Sequence, residues 1–140
     1  MHKPFSSELY EADDDAKHLV IAWLQTLGYV AWVNPDIYGI DVLAEIRDRL
    51  LGFEVEVKHN WKTHNFPYST VHFSARKLKF AAPNSHFIML NDQRTSLLAV
   101  RGIEFATAKV VNKRTIYTEN EPFVEIPVKL CRFTSLEGVA

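Results

Sequence analysis

The chain has 140 residues with 47% apolar and 24% charged side chains, which sets one domain with its own core and excludes disordered and fibrous classes. Its single cysteine, Cys131, excludes an internal disulfide and a cysteine-built zinc cage. The net charge of −1 is unevenly spread: residues 1–56 carry eleven acids against four bases, whereas residues 57–91 carry five bases and no acid. No apolar run reaches the ~18 residues of a membrane helix, and the acid-rich start is unlike a signal peptide, so a cytoplasmic protein with no membrane partner is expected.

In chain order, Leu19, Val20, Trp23, Leu24 and Leu27 recur at helical spacing and predict a helix from about Tyr10 to Leu27. Asp13–Asp15 fall in its early turns, where the helix dipole favours anions, and Gly28 stops it. Tyr29–Val33 reads as a strand ended by Asn34-Pro35. Ile40–Ile46 and Gly52–Lys58 read as two paired strands. Val42, Ala44 and Ile46 on the first, and Phe53, Val55 and Val57 on the second, alternate into a core. Asp41, Leu43 and Glu45 then share the opposite face with Glu54, Glu56 and Lys58. A two-residue turn on Asp48-Arg49 would set Asp41 opposite Glu56; a bulge would change that partner but not the shared face.

Ser74 predicts a cap for a short helix over Ala75–Ala82, stopped by Pro83. Ser85–Leu90 and Thr95–Val100 predict two more strands joined at Asn91–Arg94, followed by a short helix around Ile103–Ala108. Ala108–Val111, Thr115–Thr118 and Phe123–Leu130 read as further strands, with Pro122 and Pro127 placing the last at a sheet edge. The order gives a mixed α/β domain. Tyr29–Val33, Ile40–Ile46, Gly52–Lys58 and Ser85–Leu90 form the centre of its sheet, and the strands within Ala108–Leu130 either cover that sheet or form a dimer surface.

Three acids and a lysine on one face of a hairpin repel unless a cation, a lysine or solvent relieves the field. A hard divalent ion, Mg²⁺ above all with Mn²⁺ as its substitute, takes such oxygens, and an adjacent lysine suits phosphodiester chemistry. Ile37-Tyr38-Gly39-Ile40-Asp41 followed by Gly52-Phe53-Glu54-Val55-Glu56-Val57-Lys58 resembles the PD-(D/E)xK nuclease superfamily, which includes restriction endonucleases and archaeal-type Holliday-junction resolvases. Asp41 matches the Asp that opens one strand, and Glu56 and Lys58 match Glu-x-Lys on its neighbour. The resemblance implies a restriction endonuclease-like mixed central β-sheet flanked by helices. It implies Mg²⁺ held by Asp41, Glu56 and the Val57 carbonyl, with Lys58 assisting the nucleophile. Many members also carry a Glu in the first helix. Lys17 stands nearest that position, so Glu11 or Asp14 would substitute from an earlier turn, or the ligand is absent. Glu54 reads either as an additional acid or as a solvated residue paired with Lys58 or an arginine, the second being preferred. Asp36 is a rival first acid, less suited because it precedes the strand.

After the motif, Trp61 and Lys62 sit in an aromatic and cationic loop suited to stacking on bases and contacting phosphates, although for Trp61 and Phe66 taken singly covering a core edge is the preferred reading. Arg76, Lys77 and Lys79 follow as a possible phosphate-tracking helix face or a plain solvated one. His59 and His64 lack zinc-site surroundings, and His18 and His86 read as core histidines. No nucleotide-binding loop or Ser-His-Asp pattern occurs. The expectation is a Mg²⁺-dependent nuclease on DNA, RNA not being excluded, that works as a homodimer. The alternatives are a nucleic-acid-binding module of the same fold without the chemistry, or a structural protein whose acids hold a stabilising ion.

Overall fold

The computed structural model describes residues 7–139, and of the first helix's side chains those from Asp14 onward. Helix α1, Ser7–Thr26, ends as the apolar spacing requires. Gly28 takes φ +94°, a conformation that costs glycine least. Its N–H reaches the Gln25 carbonyl and the Tyr29 N–H reaches the Leu24 carbonyl, each at 3.1 Å, the paired closure of a Schellman cap.

Strands β1 (Val30–Val33), β2 (Val42–Ile46) and β3 (Arg49–Lys58) run antiparallel in sequence, and β5 (Ser85–Asn91) pairs with β3 in parallel. Strands β6 (Ser96–Arg101) and β9 (Arg132–Ser135) complete a six-stranded mixed sheet in the order β1-β2-β3-β5-β6-β9. A second sheet, β4-β8-β7, is built from β4 (Thr70–Ser74), β7 (Lys109–Lys113) and β8 (Glu121–Pro127). A short helix α2, Gly102–Ala106, precedes β7.

Each face of the large sheet has its own core. On one, Ala16, Val20 and Leu24 of α1 meet Val42, Ala44, Phe53, Val55, Ile88 and Leu90. On the other, Phe87, Met89, Leu98 and Val100 meet Val71, Phe73, Val124 and Ile126 of the small sheet, with Phe105 of α2 stacked on Phe87 at 3.6 Å between centroids. The C-terminal strands therefore cover the sheet. Strand β3 is consequently enclosed on both sides over Leu51–Val55.

Several expectations need correction. Arg47 and Asp48, both at positive φ (50° and 63°), form the β2–β3 turn, so Val42 pairs with Phe53 and Ile46 with Arg49. That register is two residues from the one expected. Strands β4 and β9 were not anticipated, and Thr115–Thr118 is a turn closed by the Thr115 N–H on the Thr118 carbonyl. Strand β8 is central and not an edge. Its prolines stand near its two ends, Pro122 opposite Asn112 and Pro127 opposite Thr70, where a missing donor disturbs least. Ala75–Phe80 is a 3₁₀ turn, and Ser74 makes no side-chain cap. His18 is exposed and lies 3.6 Å from Asp14.

His86 is half-buried and stacks on Phe53 with centroids 5.1 Å apart. Burial, then the charges of Arg101 and Arg49, hold its pKa below the ordinary 6.5. The unfolded chain therefore takes the proton first, so stability present above about pH 6.5 is lost as pH falls toward the lower folded-state value. His86→Phe keeps the stack and removes that titration. The drop in urea midpoint between about pH 7 and about pH 5 is expected to shrink in the variant; a drop as large as in the wild type would show that His86 does not contribute.

Candidate active site

Residues 34–40 lead into β2 through a loop held by side chains. The Asn34 amide donates to the Ile40 carbonyl at 2.9 Å, and Asn34 Oδ1 accepts the Asp36 N–H at 3.0 Å. Asp36 Oδ1 accepts the Tyr38 N–H at 3.0 Å, so this carboxylate serves the loop. A Cβ on Gly39 would lie 2.5 Å from Asn34 Nδ2, which explains a glycine at the close approach. This scaffold delivers Asp41 at the mouth of the β2–β3 pair.

The observed register places Asp41 beside Glu54, not opposite Glu56. Their contacts are reciprocal: Glu54 Oε2 accepts the Asp41 N–H at 3.1 Å, and Asp41 Oδ2 accepts the Val55 N–H at 2.9 Å. These two side-chain bonds extend the ladder one step beyond Val42–Phe53. Glu54 is buried, contrary to the expectation of a solvated residue, and lies on the face of its β5 partner Phe87, as Glu56 lies on that of Met89.

Two lysines answer the acids. Lys17 Nζ, arriving from α1, is 3.5 Å from Asp41 Oδ1. Lys77 Nζ, arriving from the 3₁₀ turn, is 3.2 Å from Glu54 Oε1, with both side chains almost fully enclosed. Burial favours a neutral lysine, but the charges of Glu56, Glu54 and Asp41 together outweigh it and raise the Lys77 pKa. Burial is also the largest influence on Glu54 and raises its pKa; Lys77 opposes this and Asp41 adds to it. The three carboxylates thus set the direction at Lys77, and burial sets the direction at Glu54.

Lys58 lies elsewhere. At about 3.3 Å per strand residue its Cα is about 13 Å from that of Glu54. Its ammonium sits 5.3 Å from the Tyr68 ring centroid. Burial, then Lys113, lowers its pKa, while Glu56 raises it. The anticipated grouping is therefore split: Asp41 and Glu54 meet, Glu56 is next along the row, and Lys58 ends it. The carbonyl of Val57 belongs to the same strand segment. Asp14 is exposed with His18 as its contact, and the side chain of Glu11 lies outside the described residues. Among the described residues, no group of three or more His, Cys, Asp or Glu is assembled to hold a metal ion. The acids present nonetheless offer hard oxygen donors, the chemistry a Mg²⁺ ion takes.

The loop after β3 departs from the nucleic-acid reading at its aromatic. Trp61 is fully buried, edge-on to Phe66 at 5.1 Å and near Phe133 at 6.2 Å, so it covers the second core. Its carbonyl accepts the Asp92 N–H at 2.8 Å, tying the loop to the β5–β6 connection. Lys62 is exposed and bonded to Asp92 Oδ2 at 3.0 Å. In the 3₁₀ turn, residues three apart share a side: Arg76 and Lys79 face solvent, whereas Lys77 points inward. Lys77 is thus an interior residue paired with Glu54, where a solvent- or phosphate-facing position is expected from the sequence. The available signal was the demand of three acids on one hairpin face for a cation.

No protein-family model matches the chain, and no curated protein does. Among solved structures it is similar to Hjc, a Holliday junction resolvase from the archaeal hyperthermophile Archaeoglobus fulgidus. The TM-score is 0.53 and the identity 13%, over 85% of this chain and 86% of that one. The fold is resolvase-like. At this identity the likeness concerns the fold, a mixed central sheet flanked by helices of the restriction-endonuclease type. No helix among the described residues is long and apolar enough to cross a membrane.

Removing one partner of a buried pair leaves the other charge uncompensated. Glu54→Leu is expected to cost about 3 kcal/mol in urea unfolding, and Glu54→Gln clearly less. A cost below about 1 kcal/mol for the leucine variant would mean that Glu56 and Asp41 suffice for Lys77.

Proposed function

We propose that the chain is a metal-dependent nuclease that hydrolyses phosphodiester bonds in DNA. The observation that carries this reading is the meeting of Asp41 and Glu54 at the open end of the β2–β3 pair, in a resolvase-like fold. Asp41 and Glu54 would hold the ion, with Glu56 next to them on the row. The Glu-x-Lys pattern would instead choose Glu56 and the Val57 carbonyl, one step farther along β3; the register favours Glu54. A divalent ion bound there would lower the pKa of a coordinated water and polarise a phosphoryl oxygen, as Mg²⁺ and Mn²⁺ do.

The protein's own groups supply the rest. Backbone N–H bonds from Asp41 and Val55 fix the two carboxylates in orientation. Lys17 and Lys77 keep the acids from repelling one another before substrate arrives. Arg76 and Lys79, exposed beside the inward-turned Lys77, would contact substrate phosphates, and such contacts set register on a duplex without reading sequence. The similar solved protein acts on Holliday junctions by name, which makes branched DNA the first substrate to try. Cutting two strands asks for two sites, which a homodimer provides.

A second reading has an observation of its own. The lysines already neutralise Asp41 and Glu54, the arrangement a nucleic-acid-binding module without cleavage would retain. Branched, linear duplex and single-stranded DNA, and RNA as a separate arm, would be incubated with Mg²⁺, Mn²⁺, Ca²⁺ or EDTA. Cleavage in Mg²⁺ or Mn²⁺ is expected, absent in EDTA and reduced about 10²-fold or more in Asp41→Asn. Binding in Ca²⁺ with no cleavage in any metal would replace the nuclease by the binding module.

A further inference from the structure

The Glu-x-Lys pattern selects Lys58, yet the ammonium on which all three acids act is that of Lys77, while Lys17 reaches Asp41 from the helix. The Lys77 side chain is 7% exposed, its Nζ is 3.2 Å from Glu54 Oε1, and the charges of Glu56, Glu54 and Asp41 all act on it. Lysine is rarely buried so far without a specific partner. Its neighbours Arg76 and Lys79 on the same turn stay in solvent, so burial here is particular to one residue. Lys58, by contrast, lies over the Tyr68 ring, where the like charge of Lys113 opposes the attraction of Glu56.

We propose that Lys77 is the working lysine of the acid site: it occupies the place of a cation among Asp41, Glu54 and Glu56, and cleavage depends on its charge there. The role in cleavage rests on the nuclease reading above; the cation place rests on the geometry alone. The path to this position is structural. Strand β4 is fastened to β8, and β5 is fastened to β3. The six-residue 3₁₀ turn between β4 and β5 therefore has little freedom to carry Lys77 away. An ammonium in that place competes with a divalent ion for the same oxygens, and removing its charge leaves the carboxylates to attract the ion more strongly.

The experiment compares wild type, Lys77→Gln, Lys77→Arg and Lys58→Met. Thermal unfolding in Mn²⁺ and in EDTA reports ion binding, and single-turnover cleavage of the preferred DNA reports chemistry. Lys77→Gln is expected to show a larger Mn²⁺-induced rise in Tm than wild type, corresponding to ion affinity higher by about tenfold or more. Its cleavage is expected to fall by about 10²-fold despite the tighter ion. Lys77→Arg, which keeps the charge, is expected to show the small Mn²⁺ response of wild type and serves if the glutamine variant does not fold; a large response there would overturn the cation place. Lys58→Met is expected to retain more cleavage than Lys77→Gln.

An unaltered Mn²⁺ response in Lys77→Gln would also overturn the cation place. A tighter ion with wild-type cleavage, or loss of cleavage only in Lys58→Met, would overturn the role in cleavage. If wild type cuts nothing while Lys77→Gln gains ion affinity, the nuclease reading fails and the cation place stands.

Discussion

The middle of β3 is enclosed on both faces of the sheet, yet it carries Glu54 where a parallel strand ordinarily carries an aliphatic residue. A buried carboxylate needs its charge answered where it lies, and the arrangement of the neighbouring elements follows from that demand. Lys77 is brought inward, Asp41 exchanges backbone hydrogen bonds with the strand, and Lys17 reaches across from the helix. Pairs of this kind contribute little net stability, because desolvation offsets most of the Coulomb attraction. Well-packed apolar residues at both positions 54 and 77 would serve a purely structural strand as well or better, which is a physical argument for a role beyond folding.

The site draws on both cores at once. The helix core fixes α1 and hence Lys17 on one side of the sheet, and the small-sheet core fixes the 3₁₀ turn and hence Lys77 on the other. Asp41 can be approached from both sides because it precedes the first pair of β2, at the end of the ladder. The two layers packed on the sheet thus converge on the place where its hydrogen bonding stops.

Charge and aromatic content near the site have separate duties. Trp61 and Phe66 anchor the loop after β3 against the second core, so the aromatic half of the stacking pattern is spent on packing. The cations divide as well. Arg76 and Lys79 remain in solvent and Lys62 is engaged with Asp92, while Lys77 belongs to the interior. A stretch rich in bases and free of acids is therefore not a single phosphate-facing surface.

What the sequence determined alone is what repeats locally: the apolar spacing of α1, its glycine stop, and the alternation that puts Phe53 and Val55 in a core with Glu54 and Glu56 opposite. Period-2 alternation survives a two-residue slip, so the face of each acid was legible while its partner was not. Asp48 belongs both to the expected turn, Asp48-Arg49, and to the observed one, Arg47-Asp48; packing of Leu51 and Phe53 against Ala44 and Val42 accompanies the observed one. Strands β4 and β9 are short, and both find their partners far along the chain, where no local pattern points. The inward turn of Lys77 was likewise decided only in three dimensions. Three carboxylates on one hairpin face announce that a cation is needed, but which lysine supplies it depends on parallel pairing of β3 with β5 and on the path of the turn between β4 and β5.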